Sequence, residues 1–210
     1  MRIGFLGTGY VARAVAAGAA AAGHDVVLGS RDPKTAADRE LGLPVAGLTE
    51  AVEHGGIVVN ATPGTVSLEL LGELREQLAG RILLDIAVGL TDDMALAHPN
   101  SSIGEQLQRA LPDTRVVKTL ATMDSAAMVD PGGLSGESTV FLSGDDAGAK
   151  AEVGALLGDL GWPVGSRLDL GGIETARGQE HFALLFMGIA GALGTYTFNI
   201  KVVPSKTAAK

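Results

Sequence analysis

Arg2-Ile3-Gly4-Phe5-Leu6-Gly7-Thr8-Gly9-Tyr10-Val11-Ala12 is the stretch that decides how this chain folds. Its first five residues form a short apolar run of strand type, and from Tyr10 an Ala-rich stretch of helical character continues to Ala22. Between the two lies the spacing G-x-G-x-x-A. Gly7 permits a tight strand-to-helix turn, Gly9 removes the Cβ that would obstruct a group approaching the backbone, and small Ala12 lets the helix pack close to the strand. A helix start of this kind offers unpaired N–H groups and the positive end of the helix dipole to a phosphate.

Working outward, a second run, Asp25-Val26-Val27-Leu28-Gly29, follows at the distance a βαβ unit requires. The alternation then persists. Strands are expected at 2–6, 25–29, 56–61, 81–86, 114–118, 138–143 and 164–168, with a weaker one at 44–46. Helices are expected at 10–22, 34–41, 48–54, 65–78, 103–111, 147–160 and 173–194. The pattern predicts an α/β fold with a Rossmann-type, doubly wound, mostly parallel sheet and a small C-terminal helical cap. Residues 1–170 are read as the nucleotide-binding domain, 171–203 as a cap or dimerisation helix, and 204–210 as a disordered tail.

Bulk composition narrows the function classes. The chain has 210 residues and a formal charge of -8, without a run of Lys and Arg, which speaks against a nucleic-acid partner. It contains no cysteine, so disulfides, thiolate metal sites and thiol nucleophiles are excluded, as suits a reducing cytoplasm. The histidines at 24, 54, 98 and 181 form no closely spaced pair, and no metal site is expected. The apolar N-terminus is not read as a signal peptide, because one arginine is a weak positive flank and glycines at 4, 7 and 9 interrupt it. Residues 182–193 are too few to span a bilayer, so no membrane partner is expected and the segment reads as a buried or dimer-interface helix.

Which dinucleotide is bound is decided at the end of the second strand, where a carboxylate favours NAD by binding the ribose 2′-hydroxyl. Here Ser30 and Arg31 stand in that position, and a hydroxyl plus a guanidinium suit the 2′-phosphate of NADP. Asp32 is the counter-argument, yet it precedes Pro33 and reads more naturally as the N-cap of the next helix. Lys34 either adds charge nearby or is a solvated surface lysine. The candidate cofactor-binding residues are therefore Gly7, Thr8, Gly9, Tyr10 and Val11, then Ser30, Arg31 and Lys34, and finally Ala61, Thr62 and Pro63, which end a third strand where open α/β sheets bind ligands.

With these residues in hand, the chain resembles the F420-dependent NADP oxidoreductase family, the NADPH-dependent reductases of the deazaflavin coenzyme F420. The likeness rests on Gly7-Thr8-Gly9, Gly29-Ser30-Arg31-Asp32-Pro33 and Ala61-Thr62-Pro63. It extends to Gly104-Glu105-Gln106, Arg115-Val116-Val117-Lys118-Thr119-Leu120, Gly144-Asp145-Asp146 and Phe198-Asn199-Ile200-Lys201. The resemblance implies NADP as cofactor, coenzyme F420 as co-substrate, a homodimer, and hydride exchange in a cleft lined by Thr62, Pro63, Leu120, Thr122 and Met123, with Glu174 and Arg177 nearby. Two positions depart from the family pattern. Ala87-Val88-Gly89 stands where an Asn-Pro pair is common, and Ala121 where Asn is common, which leaves a more apolar pocket.

Hydride transfer between two stacked rings demands proximity and no obligatory acid or base. The sequence fits that demand, since it shows no Tyr-x-x-x-Lys pair and no triad. A carbonyl, an imine or a metal chelate is the alternative acceptor, and reduction of a carbonyl or imine would require a proton donor. His181, beside Glu180, is the weak catalytic candidate for that role, against the reading of a partner in the core or interface. Asp85 and Lys118 either reach the cleft or are structural. A non-catalytic NADP-sensing module is the third reading.

Overall fold

The computed structural model, which describes residues 1–37 and 42–205, alternates strand and helix from its first residues. β1 (Arg2–Leu6), α1 (Tyr10–Ala21), β2 (Asp25–Ser30), α2 (Pro33–Ala37), β3 (Val45–Gly47), α3 (Leu48–His54) and β4 (Ile57–Asn60) form the first half. α4 (Gly64–Glu73), α5 (Arg75–Leu78), β5 (Ile82–Asp85), α6 (Ile103–Ala110) and β6 (Arg115–Thr119) continue it. α7 (Ser125–Val129), β7 (Val140–Ser143), α8 (Ala147–Asp159), β8 (Arg167–Asp169) and α9 (Ala176–Leu193) complete it. The strands form one sheet in the order β3-β2-β1-β4-β5-β6-β7-β8. Strands β1 to β6 run parallel, β7 runs antiparallel to β6, and β8 is parallel to β7. This is the expected doubly wound, mostly parallel sheet.

Both faces of the central strands are buried, which is why those strands read as continuous apolar runs. Ile3, Phe5, Ile57, Val59, Ile82 and Leu84 share one core with Val15 and Ala16 of α1, Val153 and Leu156 of α8, and Trp162. Leu6, Val58 and Leu83 point the other way, into a second core with Val52, Leu71, Leu78 and Leu107. Each buried Val, Leu, Ile or Phe among them contributes about 1.5–3 kcal/mol. The strand middles therefore hold the sheet together, and the strand ends are left for other work. Gly4 has a packing reason, because a Cβ there would lie 1.9 Å from the Ala51 carbonyl oxygen of α3.

Several elements differ from expectation. The helix expected at 65–78 is two, α4 and α5, with Leu74 (φ -100°, ψ 15°) between them; Leu71, Leu74 and Leu78 all reach the core. The strand expected at 164–168 begins as a 3-10 turn at Val164–Ser166, and β8 follows it. The helix expected at 173–194 opens with a 3-10 turn at Ile173–Thr175 before α9, which ends at Gly194 with φ +69°. Short α7 was not expected; Asp124 caps it, its side chain accepting from the Ala127 N–H at 3.1 Å. The helix expected at 34–41 is seen as α2, with 38–41 outside the described residues, as are 206–210 of the tail.

Among the described residues no helix is long and apolar enough to cross a membrane. α9 packs on α6, β6 and β7 through Ala176, Gln179, Glu180 and Ala183, while Leu184, Leu185 and Leu193 stay exposed. The chain beyond it returns to the sheet: Phe198 stacks on Phe186 at 4.7 Å, and the Thr139 N–H donates to the Ile200 carbonyl at 2.8 Å.

Candidate active site

The carboxyl ends of β1, β2, β4 and β5 open onto a cleft of about 930 Å³. Its floor begins at the glycine turn. Gly7 has φ +115°, its N–H donates to the Gly29 carbonyl at 3.0 Å, and a Cβ would meet the Ala61 oxygen at 2.9 Å. Gly9 is the N-cap of α1, and a Cβ built on it meets nothing within 4 Å. No side chain caps α1, and no acid lies in its first turn. Space above Gly9 together with an uncapped helix start is what a pyrophosphate requires, so these residues fit the dinucleotide that the sequence implies.

At the other end of the cleft lie Ser30, Arg31, Asp32 and Thr35. Asp32 is the expected helix cap: its carboxylate accepts from the Thr35 N–H at 3.1 Å and the Thr35 hydroxyl at 2.6 Å. The Ser30 hydroxyl donates to the Asp32 carbonyl at 3.0 Å and accepts from the Asp32 N–H at 3.2 Å, which fixes the loop. Arg31 is exposed on the cleft wall and has no ion-pair partner among the described residues. A free guanidinium beside a carboxylate already engaged by its own helix fits a 2′-phosphate better than a bare ribose diol.

Thr8, Tyr10 and Val11 line the same cleft, as do Ala61, Thr62, Pro63 and Met123, so most of the expected residues converge. Four do not. Lys34 is exposed on α2 and lies off the cleft. Leu120 has φ +61°, a left-handed turn that carries its side chain into the core, and Thr122 is likewise buried. Ala121 and Met123 take the cleft wall instead. His181 sits one residue past the inward-facing Glu180, hence rotated about 100° from it around α9; it is half-buried away from the cleft. Glu174 and Arg177 are also elsewhere, Arg177 pairing with Glu105 of α6 at 2.7 Å.

Sequence reasoning missed a buried polar network at the strand ends. Asn60, Asp85 and Lys118 are register neighbours on β4, β5 and β6, and Ser143 of β7 pairs with Lys118. Lys118 is fully buried and donates to Asp85 at 2.9 Å, to Glu180 at 2.8 Å and to the Ala87 carbonyl. Glu180 also accepts from the N–H groups of Ile103 (2.9 Å) and Gly104 (3.2 Å), so α9 caps α6. Two carboxylates thus face one ammonium, and the positive end of α6 supplies part of the balance. Burial pushes the Asp85 carboxyl up against the pull of Lys118; burial likewise opposes the Lys118 ammonium, but Asp85 and Glu180 outweigh it and hold its pKa above the ordinary value. Asp85 and Lys118 thus spend their polar contacts within the protein, and neither is among the residues that line the cleft. The sequence signal was available: the apolar runs of β4, β5, β6 and β7 each close on polar residues.

A family model described as NADP oxidoreductase, coenzyme F420-dependent, matches residues 2–89, from β1 to just beyond β5. A crystal structure from Arthrobacter sp. FB24, provisionally assigned as an F420-dependent NADP reductase, is 41% identical with a TM-score of 0.90. That match covers 97% of this chain and 100% of that one. Metalloreductase STEAP3 of Rattus norvegicus is 31% identical over 183 residues, 87% of this chain and 36% of that protein. The F420-dependent NADP reductase of Methanocaldococcus jannaschii is 26% identical over 147 residues, 67% of this chain and 64% of that protein. The chain thus spans less than two thirds of these two curated relatives. With the glycine turn and the cleft above it, and with the Arthrobacter chain matched along its whole length, this chain belongs to the coenzyme F420-dependent NADP oxidoreductase family of NADP-dependent oxidoreductases.

Proposed function

We propose that the protein exchanges a hydride between NADP(H), held in the cleft along Gly7–Val11, Ser30–Arg31 and Ala61–Pro63, and a second acceptor, coenzyme F420. The observation that carries this reading is the chemistry of the far wall. Ile86, Ala87, Val88, Ala121, Met123 and Met128 line it, and none of them can give or take a proton. Nicotinamide and deazaflavin rings each supply hydride chemistry when bound. The chain's part is then to orient two rings and exclude water, which apolar walls do well. Residues 1–170 serve as the NADP-binding unit and 171–203 as a cap. The exposed Leu184, Leu185 and Leu193 of α9 support a second copy of the chain as partner, and a cytoplasmic setting suits the lack of cysteine.

Calorimetric titration with NADPH and NADH tests the cofactor. NADPH should bind at least about tenfold tighter, and Arg31→Asp should remove or reverse that preference. Binding of neither nucleotide sinks the reading. Hydride transfer from NADPH to oxidised F420, followed spectroscopically, tests the acceptor, and no turnover there sinks the F420 form.

A second reading is favoured by one observation: Ala87 and Ala121, which replace the family's asparagines, both line the cleft. A pocket without those amides suits a different acceptor, a carbonyl, an imine or a metal chelate. A carbonyl or imine requires a proton from somewhere, and His181→Ala decides whether α9 supplies it. Since His181 lies off the cleft, turnover should stay within about twofold.

A further inference from the structure

The polar network sets which way the Asn60 amide faces Thr62. Lys118 spends its three protons on Asp85, Glu180 and the Ala87 carbonyl. Asp85 meets donors on both oxygens: Lys118 at 2.9 Å, Asn60 Nδ2 at 2.8 Å and the Ala87 N–H at 3.2 Å. It is therefore an acceptor only, and Asn60 must turn its NH2 group toward it. The opposite amide orientation would set oxygen against oxygen. Asn60 Oδ1 consequently faces Thr62, accepting from its N–H at 3.3 Å. The single hydroxyl proton of Thr62 has two inward acceptors, Asn60 Oδ1 at 2.7 Å and Ser67 Oγ at 2.8 Å. With either choice the proton is used inside the protein.

Thr62 is among the residues that line the cleft, and a hydroxyl whose proton is held by Asn60 or Ser67 has only lone pairs to offer a ligand there. Resting on the reading of the cleft as an NADP site, we propose that Thr62 is a specificity-determining acceptor. It takes a hydrogen bond from a donor on the nicotinamide riboside half of the cofactor, a ribose hydroxyl or the carboxamide N–H, and disfavours a phosphate oxygen at that place. Lys118, Asp85 and Asn60 act as positioning residues that set this polarity from within the core.

The test is calorimetric titration of the whole chain with NADPH and with adenosine 2′,5′-bisphosphate, comparing wild type, Thr62→Val and Thr62→Ser. Loss of one hydrogen bond should weaken NADPH binding by about three- to tenfold in Thr62→Val. Bisphosphate affinity should be unchanged, and Thr62→Ser should keep wild-type affinity for both. The 3-acetylpyridine analogue of NADP, which has no amide N–H, separates the two donors. If it binds wild type more weakly than NADP and Thr62→Val erases the gap, the donor is the carboxamide; an identical gap in both proteins assigns the ribose hydroxyl. Equal NADPH affinity in wild type and folded Thr62→Val overturns the inference, as does an equal loss for NADPH and the bisphosphate. Should Thr62→Val not fold, Thr62→Ala is read in the same way. Wild type that binds neither ligand overturns the NADP reading itself, a result distinct from wild type that binds both and is indifferent to Thr62.

Discussion

Two helices begin along the same edge of the sheet, and their starts are treated in opposite ways. α1 leaves β1 at Gly9 with no side-chain cap and no acid in its first turn. α6 starts at Ser102, whose hydroxyl accepts from the Glu105 N–H at 3.0 Å, and Glu180 accepts from the next two N–H groups. Any helix start presents unpaired donors and a positive dipole end, so both could hold an anion. In α6 the anion is the chain's own, delivered from α9, 77 residues away. In α1 the donors face open cleft. The comparison teaches that a ligand site on such a sheet is the helix start the rest of the chain leaves uncovered.

The largest expected effect comes from breaking the occupied end. Lys118→Met leaves Asp85 and Glu180 buried without their cation and should cost about 3–5 kcal/mol in urea unfolding. A loss below about 1 kcal/mol would mean that the α6 dipole alone holds both carboxylates. The next makes the open end resemble the occupied one. Gly9 has ordinary extended backbone and free space at Cβ, so Gly9→Asp should fold. It should change stability by only a few tenths of a kcal/mol. Its carboxylate would stand where the pyrophosphate belongs, and NADPH affinity should fall by about a hundredfold or more, on the order of 3 kcal/mol. Unchanged affinity would show that α1 is not the phosphate site.

The smallest effect concerns the rim of the occupied end. The Arg177 guanidinium, hydrogen-bonded to Glu105, holds that carboxyl below its ordinary 4.5 despite its burial. A depressed carboxyl pKa adds stability that is present above 4.5 and is lost as pH falls through the folded-state value. The wild-type melting temperature should therefore drop more steeply on acidification than that of Arg177→Met, with the two curves converging at low pH. Parallel curves would show that the pair is only a surface contact.

Legibility in the sequence followed locality. The glycine turn, the Ser30–Arg31 pair and the Asp32 cap were readable because each works within a few residues of itself. That Leu120 and Thr122 turn away from the cleft was not legible, because a family's linear order does not reveal which way a left-handed turn aims a side chain, and of the two readings of Lys34 the exposed surface lysine is the one its position on α2 fits. His181 drew attention as a titratable residue on an apolar helix, although its neighbour Glu180 is the one turned inward.

By itself, then, the sequence determined the alternating sheet, the dinucleotide turn and the family, since strand and helix periodicity and turn chemistry are properties of neighbouring residues. Only the tertiary structure decided which helix start stays open and which polar strand ends meet as Asn60, Asp85, Lys118 and Glu180. It also decided that Thr62 lines the cleft while its hydroxyl meets Asn60 and Ser67 inside the protein. Those outcomes depend on strand register and helix docking, which bring together residues far apart in the chain, and burial then fixes their hydrogen bonds because no water is there to offer an alternative.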